Sequence, residues 1–183
     1  MELYIIRHTP VDVKSGTCYG QSDVDVNDQF KEYLETYRQK LPTDFDCVYS
    51  SPLNRCKILA DNLFSDEIII DARLMEMNFG DWELKNWKDI SIEESQTWTD
   101  DFVNNSPPNG ESMKKLFDRI KSFFEEIKSN DFNKVLIVTH GGPIRCFWSI
   151  ILELNIANAF KIPVGFGEIL VIDTKLNSII QKQ

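Results

Sequence analysis

Histidine is scarce in this sequence, with two in 183 residues, and positive charge is outweighed, with 20 Lys and Arg against 29 Asp and Glu. The formal net charge of -9 and a pI near 4.7 give a long-range field that repels phosphate backbones and anionic lipids. Nucleic acid is therefore not expected as a partner, and an anion site has to come from locally concentrated Arg and His. Cysteine is sparse too. Cys18, Cys47, Cys56 and Cys146 are scattered without a C-x-x-C spacing, and the N-terminus does not look like a signal peptide, so reduced thiols and a cytoplasmic location are expected. Long apolar runs are missing: Leu3 to Ile6 stops at Arg7, and Cys146 to Leu152 is far below the roughly 20 residues that cross a bilayer. Heptads, fixed-period repeats and low-complexity tracts are absent.

What is present is ordinary for a globular protein, with 42% hydrophobic and 27% charged residues. At roughly 150 residues per domain, one domain over 1–183 is expected. Leu3-Tyr4-Ile5-Ile6 reads as a buried strand running into the loop Arg7-His8-Thr9-Pro10. From Asn27, a plausible cap, Phe30, Tyr33, Leu34, Tyr37 and Leu41 form one apolar face of a helix that Pro42 ends. A strand at Cys47 to Tyr49 leads to Ser50-Ser51-Pro52, with Pro52 in the first turn of a helix to about Phe64, and Ile68 to Ile70 is the next strand. Residues 72–108 look like an irregular excursion with short helices and the aromatics Phe79, Trp82, Trp87 and Trp98, closed by Asn109-Gly110. Met113, Leu116, Phe117, Ile120, Phe124 and Ile127 mark a long amphipathic helix. The strand Val135 to Val138, the loop Thr139-His140-Gly141-Gly142 and a buried helix to about Leu154 follow. Ile169 to Ile172 and Ile179-Ile180 finish the chain as strands around a turn at Asn177. Alternating strands and helices predict an α/β three-layer sandwich, with a largely parallel central sheet and helices on both faces.

Both histidines fall at the C-terminal ends of strands, where an open α/β sheet presents its ligand site. Arg7 precedes His8, and Arg55 lies in the helix after a third strand end, so two guanidiniums are expected to converge on one crevice and match phosphate oxygens. Gly141 and Gly142 offer unobstructed backbone N–H groups where a helix dipole favours an anion. Arg145 sits in the first turn of that helix, against the dipole. Its role is open between a solvated side chain, an ion pair and a substrate contact.

Other chemistries fit less well. A metal hydrolase using His8, His140 and Glu76 lacks an H-x-x-x-H or tight Asp/His cluster, and Arg7 would repel a cation. Gly16-Thr17-Cys18-Tyr19-Gly20 has the outline of a nucleophile elbow, but no buried strand precedes it. Asp23-Val24-Asp25-Val26 fails as an aspartyl phosphatase motif for the same reason. No cysteine has an Arg six residues later, as a cysteine phosphatase requires.

Arg7-His8 after Leu-Tyr-Ile-Ile, Ser50-Ser51-Pro52-Leu53-Asn54-Arg55, Glu76 to Glu83, Pro108 to Ser112 and Thr139-His140-Gly141-Gly142 together resemble the histidine phosphatase superfamily, with its phosphoglycerate mutase-like fold. Thr9-Pro10-Val11 and Gly16 to Asp23 are similar to its alpha-ribazole phosphatases. The resemblance implies a metal-independent phosphomonoesterase that needs no cofactor and acts on a small-molecule phosphomonoester. In it His8 is the nucleophile, Arg7, Arg55, His140 and Gly141 hold the phosphate, and Glu76 is acid and then base. Tyr19, Gly20, Gln21, Phe79 and Trp82 are the expected contacts to the rest of the substrate. A sugar-phosphate phosphatase, a mutase and a non-catalytic binding module on the same fold are the alternatives. Two departures stand out: Thr9-Pro10-Val11 replaces Gly-Glu-Thr after Arg-His, and Leu84 replaces the usual Gly after Trp82-Glu83.

Overall fold

In a computed structural model, which describes residues 1–176 and 178–182, the elements follow the predicted alternation. They are β1 (Glu2–Arg7), α1 (Phe30–Lys40), β2 (Cys47–Ser50), α2 (Asn54–Leu63), β3 (Ile68–Ile70), α3 (Ile92–Asp100), α4 (Met113–Lys128), β4 (Lys134–Thr139), α5 (Gly141–Ile151), β5 (Ile169–Asp173) and β6 (Ser178–Lys182). The six strands form one sheet in the order β3-β2-β4-β1-β5-β6. β3, β2, β4 and β1 run parallel, while β5 and β6 are antiparallel additions. The expected turn at Asn177 lies outside the described residues.

Alternation of side chains along the strands divides the core between the two faces. Leu3, Ile5, Val135 and Ile137 pack with Leu116, Ile120 and Phe124 of α4 and Phe147 of α5. Ile6, Leu136 and Val138 pack on the opposite face with Leu34 and Tyr37 of α1 and Leu59 of α2. The fold is the α/β sandwich the sequence predicts.

Helix starts depart from expectation. Asn27 does not cap α1: its Oδ1 accepts from Gln29 N one turn earlier, and Gln29 takes the cap position without a side-chain bond. Pro52 stands before α2 rather than in its first turn, because Leu53, in an extended conformation, is the cap. The last long helix stops at Ile151, and a 3-10 stretch over Ile156–Lys161 follows. The excursion contains three 3-10 turns, at Ala72–Leu74, Gly80–Trp82 and Trp87–Asp89, together with α3.

Candidate active site

The register of β1 on β4 pairs Arg7 with Thr139, and β2 lies on the other side of β4 with Ser50 opposite Val138. The three strands therefore end side by side. The ladder continues one step beyond them, with His8 N bonded to Thr139 O at 3.0 Å and Ser51 N to Val138 O at 3.0 Å. This alignment brings the His8 and His140 rings to 5.1 Å between centroids, with Arg55, the second residue of α2, near enough for its charge to act on both. His8, His140 and Arg55 are all buried.

Hydrogen bonding selects the tautomer of His8. Its Nδ1 lies 2.7 Å from the Thr9 carbonyl, which can only accept, so Nδ1 carries the proton and Nε2 keeps its lone pair. Burial first, then the guanidiniums of Arg55 and Arg7, pushes the His8 pKa well below 6.5, against a weaker opposing effect of the Thr9 bond. The ring is neutral at pH 7. His140 is held neutral in the same way, by burial and then by His8, Arg55 and Arg7. It is thus a polar donor or acceptor, with Nε2 2.8 Å from Ser51 Oγ.

The arginines are anchored by their tips. Arg7 donates from Nη1 to Val164 O at 3.0 Å and stacks 4.0 Å over Phe166. Arg55 donates from Nη1 to Ser22 O and from Nη2 to Gly20 O. The Nε atoms of both are buried with no hydrogen-bond partner among the described residues, as is Thr9 Oγ1. Two orphaned guanidinium donors beside a neutral imidazole lone pair are expensive to maintain unless an anion satisfies them.

Glu76 comes from the loop after the Ala72–Leu74 turn, which Thr139 Oγ1 ties to β4 through Leu74 O at 2.7 Å. Its carboxylate accepts from Met77 N at 2.8 Å and from Gly142 N at 3.1 Å. A Cβ on Gly142 would stand 2.1 Å from Glu76 Oε1, so any larger residue there would push the carboxylate out of this position. Gly141 has more room: a Cβ on it would lie 3.0 Å from Arg145 Nη1, a movable side-chain end, and at ordinary contact distance, 3.7 Å, from Arg7 Cζ. Arg7, His8, Thr17, Cys18, Tyr19, Glu76, Phe79 and Trp87 line a cavity of about 170 Å³.

Of the expected substrate contacts, Tyr19 and Phe79 line this cavity, with the Tyr19 ring 5.5 Å from Arg55 Cζ. Gly20 and Gln21 act through backbone and amide bonds: Gly20 O receives Arg55, and Gln21 Nε2 donates to Glu76 O at 3.0 Å. Trp82 does not face the crevice. It is 1% exposed, packs with Cys18 and Ile90, and donates to Glu94 at 3.3 Å, because the turn at Gly80–Trp82 points it inward; Trp87 stands at the crevice instead.

Arg119, Glu83 and Glu111 went unnoticed as site residues. Arg119 donates to the carbonyls of Arg73, Met75 and Glu76 and pairs with Glu111, while Glu83 accepts from Gln21, Ser22 and Phe79 N–H groups. One signal was there: Arg119 is a lone cation on the buried stripe of α4, between Leu116 and Phe123.

Paired neutral histidines at parallel strand ends, with unpartnered arginine donors beside them, form a site suited to a phosphoryl group. A family model for the histidine phosphatase superfamily (branch 1) matches residues 3–180, and the chain belongs to that superfamily. It is 28% identical over 172 residues to a putative phosphoserine phosphatase 2 of Hydrogenobacter thermophilus, covering 87% of this chain and 83% of the relative. It is 25% identical over 196 residues to an adenosylcobalamin/alpha-ribazole phosphatase of Salmonella typhimurium, covering 96% and 97%. The crystal structure of the alpha-ribazole phosphatase from Shigella flexneri superposes with a TM-score of 0.89 at 24% identity, over 98% of this chain and 93% of that one. Among the described residues no helix is long and apolar enough to cross a membrane.

Proposed function

We propose that the chain, as one catalytic domain, hydrolyses small phosphomonoesters through a phosphohistidine on His8, without a metal ion. The orphaned Nε donors of Arg7 and Arg55 beside a neutral His8 carry this reading. His8 Nε2 attacks phosphorus, the ester P–O bond breaks with its electron pair on the leaving oxygen, and Glu76 supplies the proton. Water then attacks the phosphorus of phospho-His8, Glu76 takes its proton, the P–Nε2 bond breaks with its electron pair returning to His8, and inorganic phosphate leaves. Arg7, Arg55, the His140 ring and the Gly141 N–H stabilise the phosphoryl oxygens throughout. Labelled substrate quenched without acid should leave an acid-labile phosphoprotein in the wild type and none in His8→Ala, with turnover down by at least about 10⁴-fold. Retained turnover in that variant, or strict dependence on an added divalent cation after EDTA, would refute the scheme.

Two leaving groups are supported by different observations. Alpha-ribazole, a flat nucleoside, suits the aromatic wall of Tyr19, Phe79 and Trp87, and the names of the Salmonella and Shigella proteins point the same way. A small phosphorylated acid such as phosphoserine is favoured by Arg145 beside Glu76, and by the name of the Hydrogenobacter relative. Comparing kcat/KM for alpha-ribazole 5'-phosphate, 5'-AMP, phosphoserine and 3-phosphoglycerate separates them, since binding energy of the non-reacting part is expressed there.

A further inference from the structure

The loop between the 3-10 stretch Ile156–Lys161 and β5 returns to the end of β1 and holds Arg7 at three points. Val164 O accepts from Arg7 Nη1 at 3.0 Å, across 157 residues of sequence. The centroid of the Phe166 ring lies 4.0 Å from Arg7 Cζ, and the ring meets that of His8 edge to face at 5.7 Å. Gly167 N donates at 3.0 Å to the Tyr37 hydroxyl, which in turn donates at 2.7 Å to Arg7 O. Tyr33, one turn earlier on α1, meets Phe166 edge to face at 6.1 Å, so α1 braces the ring as well as the backbone. Gly167, at φ +74, lets the loop turn this close to α1: a Cβ there would stand 3.3 Å from the Tyr33 ring.

Arg55 shows what this arrangement replaces. It commits Nη1 to Ser22 O and Nη2 to Gly20 O, two carbonyls that fix its plane, and the Tyr19 ring stands farther off, 5.5 Å from its Cζ. Among the described residues Arg7 bonds a single carbonyl, and it has an aromatic face at 4.0 Å instead of a second one. One hydrogen bond leaves a guanidinium able to swing about it. A stacked ring removes that freedom and occupies none of the N–H groups, which lie in the guanidinium plane. Arg7 Nε, buried and without a partner among the described residues, is thereby kept for an oxyanion. The ring also excludes water from one face of the cation, which strengthens what its charge does to a bound phosphoryl group.

We propose that Phe166 is a positioning residue for phosphoryl transfer: its ring supplies the second restraint on Arg7 and aims Nε at the phosphoryl group held beside His8. This rests on the phosphohistidine reading of the same site. Because Phe166 acts through Arg7 on the group transferred, its effect is independent of the alcohol that leaves, unlike that of the acid Glu76. Phe166 belongs to none of the sequence motifs around the two histidines, and only the path of the loop brings it to Arg7.

Phe166→Leu keeps apolar bulk and loses the aromatic face, whereas Phe166→Tyr keeps the face. Phe166→Leu should lower kcat/KM by roughly 3- to 30-fold, by the same factor for p-nitrophenyl phosphate and phosphoethanolamine, while Phe166→Tyr stays within about twofold of the wild type. Orthovanadate, which mimics the phosphoryl group in transfer, supplies a double-mutant cycle when its binding is read by calorimetry. Phe166→Leu should weaken that binding in the wild-type background and leave it nearly unchanged in the Arg7→Gln background, because no ring positions an absent guanidinium. The same factor in both backgrounds would mark a merely structural role and overturn the assignment. So would wild-type kcat/KM in Phe166→Leu, a loss confined to one leaving group, or an equal loss in Phe166→Tyr. If Phe166→Leu does not fold, Phe166→Met, apolar and flexible, enters the same cycle. Phosphoprotein trapping with p-nitrophenyl phosphate in the wild type separates the levels. If phospho-His8 forms while the cycle is additive, only the Phe166 assignment falls; if it does not form, the phosphohistidine reading falls with it.

Discussion

The floor and the wall of the crevice are held by different means. The floor carries His8, His140, Arg7 and Arg55 on the ends of β1 and β4 and the start of α2, and the strands beneath are fully buried from Val135 to Val138. Backbone ladders set its geometry. The wall carries Glu76, Phe79 and Trp87 on chain with little regular structure, held by charged side chains that reach backbone groups: Arg119 to three carbonyls, Glu83 to three N–H groups, Glu111 to Asn78 N. Trp82, Cys18 and Ile90 give it a small core of its own. The contrast teaches that the two histidines and Arg7 are placed by the sheet's own hydrogen bonds, while Glu76, Phe79 and Trp87 depend on a few polar anchors. Loops on a rigid scaffold are where specificity is free to change.

The largest expected effect lies where wall meets floor. Glu76→Gln should lower turnover of alkyl phosphates by roughly 10² to 10⁴, and that of p-nitrophenyl phosphate much less, because that leaving group departs without a proton. Equal losses on both would show that Glu76 is not the acid and that the wall only shapes the site. Next in size, Trp82→Ala should cost about 3 to 5 kcal/mol of stability by emptying the small core, read from denaturant unfolding. A midpoint like that of the wild type would mean that the excursion draws its stability elsewhere.

The floor carries its own signature in pH. His8 and His140 have folded pKa values below the unfolded 6.5, so the unfolded chain takes up protons first as pH falls. Above pH 6.5 neither histidine affects stability. Below it each should subtract up to about 1.4 kcal/mol per pH unit until its folded pKa is reached. Unfolding midpoints compared between pH 7.5 and 5.5 should therefore drop more in the wild type than in His8→Ala, and identical drops would remove His8 from the account. Its nucleophile neutral, the enzyme should also keep kcat/KM on the acid side of pH 6.5.

The smallest effect comes from the wall. Leu84 has φ +64 and is 60% exposed. Leu84→Gly should relieve left-handed strain and stabilise by about 0.5 to 1 kcal/mol net of the added chain entropy. Destabilisation would mean that the Leu84 side chain packs usefully despite its exposure.

Strands and the long helices were legible because their periodicity is strong: β1, β4 and α4 stand within a residue or two of expectation. Helix starts at Asn27 and Pro52 were not, since a good capping residue is outcompeted when the neighbouring chain fixes the entrance by backbone bonds. Trp82 and Trp87 look alike in sequence, and one 3-10 turn sends the first into a core and leaves the second at the crevice.

By itself the sequence determined which residues could do chemistry, two histidines and Arg7 at strand ends and Arg55 in the helix after a third, because apolar runs stop abruptly where polar residues begin. Only the tertiary structure decided their state. Burial made both histidines neutral, the Thr9 carbonyl chose the tautomer of His8, and the bond from Gly142 N fixed the Glu76 carboxylate. Proton affinity and orientation depend on groups distant in the chain, and the shared register of β1, β4 and β2 is what brings those groups together.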